Sequence, residues 1–360
     1  MKSYNFEKKL KEFVSKRLFN EKIILNKDIN YPKISIVTPS YNQAQFLERT
    51  ILSVLNQNYP NFEYIIIDGG STDGSVEIIE KYEKYLTCWV SEKDKGQADA
   101  INKGFKKSSG NTFGWLNSDD IYLPNVFFKV INVFNIYSNA GMIYSNGLKI
   151  NDKDKIVGWP KYEQYSLFDM LCFRIIHQPT VFIRSKLYGL VGGIDISYNL
   201  LLDHELWLRL VQKTSVKYID EYWAAARDHI TAKNRTQTVN FGKEASRIIE
   251  SFFKQNNKRV TQFKFYQKRI KASVICFDAQ YLLSGGYNLL ALKNFKKAIF
   301  LSPKIIPRYF SSIVLSILTV LGMGKLQFLF KSIRWHFKTF PKDLSSLRNY
   351  DLLKFIKKGE

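Results

Sequence analysis

Residues 34–75 read ISIVTPSYNQAQFLERTILSVLNQNYPNFEYIIIDGGSTDGS, and this stretch decides the fold of the chain. It contains two short apolar runs, residues 34–38 and 64–68, each rich in β-branched or aromatic residues and each ending at a polar break. Between the runs, four apolar residues recur at helical spacing: Leu47, Ile51, Val54 and Leu55. The pattern predicts a βαβ unit, in which a crossover helix joins two parallel strands.

A carboxylate stands where the second predicted strand ends. Asp68 is the last residue of that strand, and the glycine-rich stretch 69–74 follows it. Open α/β sheets bind ligands outside the carboxyl ends of their strands. A carboxylate there can accept hydrogen bonds from a base N–H or from ribose hydroxyls. Because no G-x-G-x-x-G motif follows the first strand, we expect a nucleoside site and not a dinucleotide site.

Length and cysteine content set further bounds. The 360 residues give room for one large domain and an appendage, and the 45% hydrophobic content is ordinary for a globular chain. The three cysteines show no paired spacing, which argues against a disulfide framework or a zinc site and favours a reducing compartment. The charged first 19 residues have no apolar core, so we do not expect a signal peptide.

The positive charge is placed unevenly. Residues 31–235 carry 23 basic and 22 acidic side chains, whereas residues 236–360 carry 23 basic and 6 acidic ones. A nucleic-acid-binding protein would concentrate positive charge on its folded module, so we expect no nucleic-acid partner. A basic tail mixed with aromatic residues favours contact with an anionic membrane surface. A solvated helical face is the alternative.

The chain is predicted to have three parts. Residues 1–30 have the pattern of an amphipathic helix, residues 31–236 form an α/β domain, and residues 237–360 form a basic helical region. The apolar stretch 310–323 is shorter than the ~20 residues that a membrane span needs, so it predicts a buried or interfacial helix. Lysines, arginines and aromatic residues alternate after it, as is typical of a membrane interface.

The stretch 117–120 carries the densest chemistry. Asp119 and Asp120 are adjacent carboxylates in a turn after a predicted strand, and they repel each other unless a cation neutralises them. Oxygen ligands favour Mg²⁺ or Mn²⁺, held partly by the phosphates of a substrate. A solvated turn is the alternative reading of the residues alone.

Residues 34–236 resemble the family 2 glycosyltransferases, inverting nucleotide-sugar enzymes of the GT-A fold. The matching stretches, in order, are VTPSYN, FLERTILSVLNQ, IIIDGGSTDGS, SEKDKGQADAINKGF, GWLNSDD, HQPTVFIR, VGGID and LLDHELWLRL. The resemblance implies a nucleotide-sugar-binding domain with a Rossmann-like mixed sheet flanked by helices. It also implies non-processive transfer of one sugar, with UDP-sugars favoured as donors. The acceptor would be a saccharide in bacterial cell-surface polysaccharide or lipopolysaccharide biosynthesis.

The resemblance also implies roles for individual residues. Pro39, Tyr41 and Asp68 would contact the nucleoside, with Tyr41 stacking on the base. Asn117, Ser118 and Asp119 occupy the place of the D-x-D motif of the family. Asn117 departs from that motif, since an amide can bond ribose but adds no charge. The Mn²⁺ or Mg²⁺ would then depend on Asp119 and Asp120. Further implied donor contacts are Lys95, Asp99, Arg227 and Lys233, with His229 as a metal or diphosphate contact.

An inverting transfer needs a carboxylate that takes the proton of the acceptor hydroxyl. Asp203 precedes an apolar-periodic helix, and from the residues alone it is equally well explained as a helix cap. The resemblance assigns it to the position of the base. Glu205 is the second candidate.

The sequence leaves two alternative functions, one enzymatic and one not. A processive polysaccharide synthase is disfavoured, because no convincing set of membrane spans is present and Lys331 stands where a Q-x-x-R-W motif ending at Trp335 needs glutamine. A non-catalytic membrane- or polyanion-binding protein on a degenerate transferase domain is disfavoured by the intact Asp68, Asp119, Asp120 and Asp203. We expect a cytoplasmic enzyme, peripheral on the inner face of the cell membrane, with a lipid-linked acceptor.

Overall fold

The computed structural model describes residues 2–19, 31–255, 258–323 and 325–326. The chain divides into two compact units. The α/β unit contains the described residues up to Gln164 together with Ile176–Asp228. The helical unit contains Tyr165–Ile175 and the described residues from His229 onward.

A single sheet of nine strands organises the α/β unit in the described part of the chain. Its strands are β1 (Ile34–Ser40), β2 (Phe62–Asp68), β3 (Cys88–Ser91), β4 (Thr112–Trp115), β5 (Ile121–Tyr122), β6 (Ala140–Ile150), β7 (Ile156–Gly158), β8 (Phe182–Arg184) and β9 (Ser215–Arg227). The order across the sheet is β3-β2-β1-β4-β8-β6-β9-β5, with β7 paired to β6. Strands β3, β2, β1 and β4 are parallel, whereas β8 runs antiparallel to both β4 and β6. The expected mixed α/β sheet is confirmed.

Among the described residues, this unit contains seven α-helices. They are α1 (Lys2–Ser15), α2 (Ala44–Leu55), α3 (Ser75–Tyr82), α4 (Gln97–Lys107), α5 (Val126–Ile136), α7 (Ser185–Leu190) and α8 (Leu202–Val211). The predicted βαβ unit is β1-α2-β2, with β1 and β2 parallel and in register from Ile34 opposite Phe62 to Ser40 opposite Asp68. All seven residues of β1 are buried, because β1 is a central strand covered on both faces.

Both helices that were predicted from apolar spacing bury that face. The apolar residues of both helices pack in one core with residues of the sheet. From α2 these are Leu47, Ile51, Val54 and Leu55, and from α1 they are Phe6, Leu10, Phe13 and Val14. The rest of the predicted N-terminal segment, residues 20–30, lies outside the described residues.

The helical unit is formed by α6 (Leu167–Leu171), α9 (Lys233–Thr236), α10 (Phe241–Lys254), α11 (Lys258–Phe263), α12 (Gln267–Ser284), α13 (Asn288–Leu301) and α14 (Ile306–Val320). Helices α12, α13 and α14 share a small core that includes Cys276, Phe295 and Tyr309. Arg308 of α14 donates to the backbone oxygens of Cys172 and Phe173 at 2.6 and 2.7 Å, which ties α14 to the turn after α6.

No helix among the described residues is by itself both long and apolar enough to cross a membrane. Helix α13 and residues 303–320 are together long and apolar enough, but they are bent by 119° at the break between them. The basic and aromatic residues predicted to lie at an interface beyond residue 326, including Lys331, Arg334 and Trp335, fall outside the described residues.

Candidate active site

The parallel strands bring the predicted donor-site residues to one edge of the sheet. Ser40, Asp68 and Ser91 lie opposite one another at the carboxyl ends of β1, β2 and β3. Strand β4 pairs with β1 up to Trp115, so the turn that begins with Asn117 leaves the sheet at the same edge. Tyr41 follows β1 directly, and its ring is 62% exposed, as a stacking surface for a base requires.

Asp68 is fully buried and fixes the loop after β2. Its Oδ2 accepts hydrogen bonds from the backbone N–H groups of Gly70 and Ser71 at 3.1 and 2.8 Å and from the Ser91 hydroxyl at 2.8 Å. Its Oδ1 accepts from the Ser71 hydroxyl at 2.6 Å. Asp68 therefore fixes the glycine-rich loop at this edge of the sheet, and its contact with a nucleoside stays a prediction.

A second carboxylate, Asp94, lies at the same edge and was missed in the sequence. A Cβ atom on Gly69 would lie 2.9 Å from Oδ2 of Asp94, so the Asp94 carboxylate packs closely against the glycine and would have to shift for a larger residue. Asp94 Oδ1 accepts the N–H of Gly96 at 2.7 Å. The glycine pair after Asp68 was the available signal, because glycine permits the close approach of a neighbouring group.

Two of the predicted donor contacts sit at the start of α4. The N–H of Lys95 donates to Oδ2 of Asp99 at 3.1 Å, and Lys103 forms an ion pair with the same oxygen at 3.5 Å. Asp99 therefore stabilises the first turn of α4, where a negative charge also suits the helix dipole. The nucleotide-sugar roles of Lys95 and Asp99 stay predictions.

Three amides hold the turn after β4. Nε2 of Gln97 donates to Oδ1 of Asn117 at 2.7 Å, and Nδ2 of Asn117 donates to Oε1 of Gln178 at 3.1 Å. The same Nδ2 lies 3.2 Å from Oδ2 of Asp120 and donates to it. Gln97 and Gln178 were not singled out in the sequence, because they lie 20 and 61 residues from Asn117. An aspartate at position 117 could not make these donations.

Asp120 links this turn to the last strand of the sheet. The side chain is 5% exposed, and its Oδ1 accepts the N–H of Arg227 at 2.9 Å. Burial, and then the neighbouring charge of Asp119, raise the pKa of Asp120 well above its usual range. Because both Asp120 oxygens are engaged within the protein, this geometry favours Asp119 over Asp120 as the metal-binding carboxylate. The hydroxyl of Thr50, on α2, shares its hydrogen bond between the backbone oxygens of Ser118 and Asp120 and thereby fixes the turn.

Arg227 is an internal organiser of the same turn. Its Nε donates to the backbone oxygen of Asp119 at 2.9 Å, and its Nη1 forms an ion pair with Asp154 at 2.7 Å. The guanidinium lies over the ring of Phe46, and the charged side chain is fully buried. This placement favours a structural role over the predicted diphosphate contact. His229 and Lys233 belong to the helical unit, where Nδ1 of His229 lies 2.9 Å from the Thr231 hydroxyl.

Asp203 lies in the first turn of α8 and is not its capping residue. The helix begins at Leu202, and the N-cap position belongs to Leu201. The N–H of His204 donates to Oδ1 of Asp203 at 2.7 Å. One turn further on, Trp207 stacks on Trp115 with ring centroids 5.2 Å apart. The stack ties α8 to the strand that leads into the Asn117 turn.

The second candidate base is engaged elsewhere. Both oxygens of Glu205 accept hydrogen bonds from Arg209, at 2.7 and 2.6 Å. A carboxylate in such a bidentate pair is held in one orientation by two hydrogen bonds. This observation favours Asp203 over Glu205.

His177 is a buried side chain of the α/β unit. Burial, and then the charge of Lys149, lower its pKa to about 3, so the imidazole is neutral at physiological pH. Its ring lies directly on Gly147 of β6, in the space that a side chain there would occupy. The Tyr162 hydroxyl lies 3.3 Å from Nδ1.

The donor set suits a metal that arrives with a nucleotide. Among the described residues, no three His, Cys, Asp or Glu side chains are grouped so as to hold a metal ion. Mg²⁺ and Mn²⁺ are commonly held by one or two carboxylates together with substrate phosphates. Asp119, in a turn fixed by Asn117 and Asp120, supplies such a partial set.

Residues 35–184 match the family described as Glycosyl transferase family 2. An uncharacterized glycosyltransferase of Rickettsia prowazekii is 28% identical over 82% of this chain and 92% of its own length. A putative teichuronic acid biosynthesis glycosyltransferase, TuaG of Bacillus subtilis, is 32% identical over 52% of this chain and 75% of its own length.

Two solved structures are similar in fold. The S. aureus TarS 1–349 structure in complex with UDP-GlcNAc has a TM-score of 0.55 and 16% identity, covering 91% of this chain and 92% of that one. This chain spans 50% of the longer TarS structure. The mannosyltransferase PcManGT from Pyrobaculum calidifontis, in complex with GDP-Man and Mn²⁺, has a TM-score of 0.53 and 12% identity, covering 88% and 92%.

Proposed function

Because the chain belongs to glycosyl transferase family 2 and is a glycosyltransferase, we propose that it moves one sugar from a UDP-sugar to a saccharide acceptor with inversion at the anomeric carbon. The observation that carries the proposal is the meeting of three features at one end of the α/β unit. They are the sheet edge at Tyr41 and Asp68, the turn at Asn117–Asp120, and Asp203 on α8, the helix whose Trp207 stacks on Trp115 of β4.

In the proposed reaction, Asp203 takes the proton of the acceptor hydroxyl while the hydroxyl oxygen attacks the anomeric carbon. The bond from that carbon to the diphosphate breaks on the opposite face, and the nucleoside diphosphate leaves. Direct attack from one face gives inversion, and a single carboxylate base suffices for it. The bidentate pairing of Glu205 with Arg209 supports Asp203 in this role.

The donor is held, in this proposal, by the loops that the buried polar groups shape. Tyr41 stacks on the base. Asp68 holds the loop beside the base, and Asp94 supplies the carboxylate that recognises the base. Asp119 holds Mn²⁺ or Mg²⁺, which neutralises the diphosphate when it is bound. Asn117 orients Asp120 and thereby the turn, so that one carboxylate of the turn faces the donor while the other stays inside.

The choice of substrates rests on similarity. TuaG is named for teichuronic acid biosynthesis, and the TarS structure contains UDP-GlcNAc. These similarities support a UDP-sugar donor and a role in cell-surface polysaccharide biosynthesis; lipopolysaccharide is the other surface polymer that we propose. We also propose a lipid-linked acceptor and a peripheral location at the inner face of the cell membrane, supported by the 23 basic and 6 acidic residues of the stretch 236–360.

The test is a screen of the purified full-length protein against a panel of nucleotide sugars by calorimetry, with Mn²⁺ present. We expect UDP-sugars to bind and other nucleotide sugars to bind more weakly, and slow hydrolysis to release UDP in the absence of acceptor. Excess chelator should abolish both signals. Absence of binding to every nucleotide sugar, or undiminished turnover in chelator, would contradict the proposed donor or the proposed metal, respectively.

A further inference from the structure

Helix α14 covers only part of its apolar surface within the helical unit. A surface helix of a soluble protein turns its apolar stripe toward the core. In α14 that packed face contains the buried Tyr309 and Ser316 together with Ile306 and Ile313, which pack against the core shared with α12 and α13. Other apolar residues of α14 lie outside this packed face.

A second face of α14 is also apolar, and most of it is exposed. It carries Phe310, Val314, Ile317 and Leu321, which follow the spacing i, i+4, i+7 and i+11 and so form one line along the helix. We call these four residues the outer stripe. Phe310, Ile317 and Leu321 are 57%, 41% and 64% exposed, so the described residues of the chain leave the stripe largely uncovered.

The charges around the outer stripe limit what can cover it. From residue 279 to residue 342 the sequence contains ten lysines and arginines and no aspartate or glutamate. Lys304 and Lys325 are exposed and lie just before and just after α14. A second copy of this chain would bring like charges together at both ends of the helix. An anionic lipid surface would match the apolar stripe and the basic ends at once.

The length of α14 fits a helix that lies in the plane of the membrane. Fifteen residues span about 22 Å, which is less than the ~30 Å of a hydrocarbon core. Helix α13 repeats the chemistry at its surface, where Leu289, Lys293, Lys296 and Phe300 are exposed at the same i, i+4, i+7, i+11 spacing.

We infer that α14 is a membrane-docking helix, which lies at the interface of an anionic bilayer with the outer stripe inserted and Lys304 and Lys325 at the headgroups. The inference deepens the peripheral-membrane part of the proposed function and rests on it, and it is independent of the sugar-transfer chemistry. It assigns docking to a described helix, in addition to the basic residues that follow it.

The experiment is flotation of the full-length protein with phosphatidylcholine vesicles that contain or lack phosphatidylglycerol. We expect salt-sensitive binding to the anionic vesicles. The double variant Ile317→Ser/Leu321→Ser should bind them roughly 30- to 100-fold more weakly, because two apolar side chains no longer insert. The matched control is Ile136→Ser/Leu190→Ser, which changes an isoleucine and a leucine that are 64% and 69% exposed in the α/β unit. The control should bind as the wild type does.

Three results would overturn the inference: wild-type binding by the α14 double variant, equal loss in the control variant, or no binding of the wild type to anionic vesicles. A fourth result, a wild-type dimer and a monomeric α14 variant in light scattering without vesicles, would also overturn it. That result would mean that a second copy of the chain covers the outer stripe. UDP release measured without vesicles reports on the proposed function alone. It should be equal in all three proteins, and its failure would leave the flotation result interpretable.

Discussion

The two units of the protein differ in which side chains they bury and which they expose. In the α/β unit, Asp68, Asp120 and Arg227 are buried, and their hydrogen bonds fix the loops of the candidate site from inside. In the helical unit, α14 packs Tyr309 and its neighbours inward and leaves a second apolar row exposed on its surface. In both units an apolar helix face needs a covering surface. The sheet covers the apolar face of α2, whereas the described residues leave the outer stripe of α14 largely uncovered. The partner of α2 is in the chain, and we infer that the partner of α14 is not.

The largest effect is expected from the base of the α/β unit. Asp203→Asn keeps the shape of the side chain and removes its ability to take a proton. We expect turnover to fall by roughly 10²–10⁴-fold with little change in donor affinity, as measured by steady-state kinetics and calorimetry. Glu205→Gln is the comparison, and its turnover should change much less because Glu205 is paired with Arg209. Near-wild-type turnover of Asp203→Asn would contradict the assignment.

Packing in the same unit is tested at Gly147. A methyl group there would overlap the His177 ring, so Gly147→Ala should lower the free energy of unfolding by about 1–3 kcal/mol. Gly158→Ala serves as the control, since its Cβ would meet the nearest atom, Cβ of Lys149, at an ordinary 3.6 Å. Chemical denaturation measures both variants. Equal stabilities would show that the sheet at β6 yields more readily than the packing indicates.

The amide at position 117 distinguishes an interior role from a metal-binding role. Asn117→Asp restores the acidic residue that resembling sequences often carry, but it places a carboxylate 3.2 Å from Oδ2 of Asp120. We expect a loss of about 1–2 kcal/mol in stability, since the donations to Asp120 and Gln178 disappear, and no gain in Mn²⁺ affinity. Tighter Mn²⁺ binding by this variant in calorimetry would argue that the turn accommodates the acid.

The buried His177 predicts a pH dependence of stability. Unfolded histidine takes up a proton near pH 6.5, whereas the pKa of His177 in the folded protein is lowered to about 3. The unfolded state therefore binds more protons between these values. The stabilisation is fully present above pH 6.5 and is lost as the pH falls, by about 1.4 kcal/mol per unit. His177→Asn should remove this component of the slope between pH 5 and 6.5 in denaturation series. A slope identical to that of the wild type would mean that His177 is protonated in the folded state.

The smallest effect is expected on the outer face of the helical unit. In solution without vesicles, Phe310→Ser should change the free energy of unfolding by no more than about 0.5 kcal/mol, because the side chain is 57% exposed. Phe295→Ser in α13, whose side chain is fully buried, is the contrast and should be strongly destabilising. A large loss for Phe310→Ser would place that ring in a protein contact and not at a membrane.

Much of the α/β unit could be predicted because its signals are local. The spacing of Leu47, Ile51 and Val54 and the β-branched runs on either side specify a parallel βαβ unit. Parallel strands bring their carboxyl ends together whatever lies between them. The positions of Asp68 and Asn117 at one edge followed from this rule. The roles of Asp119, Asp203 and the other assigned site residues remain predictions that the experiments above address.

The strand and helix pattern, the family and the excess of positive charge after residue 236 could all be predicted without coordinates. Which distant groups meet could be seen only in the folded protein: Asp94 against Gly69, Gln97 and Gln178 on Asn117, and Trp207 on Trp115. The same holds for which face of α14 turns outward. The physical reason is that periodicity fixes which side chains share a face, whereas the packing of the whole unit fixes the direction in which that face points and the polar partners that come from far along the chain.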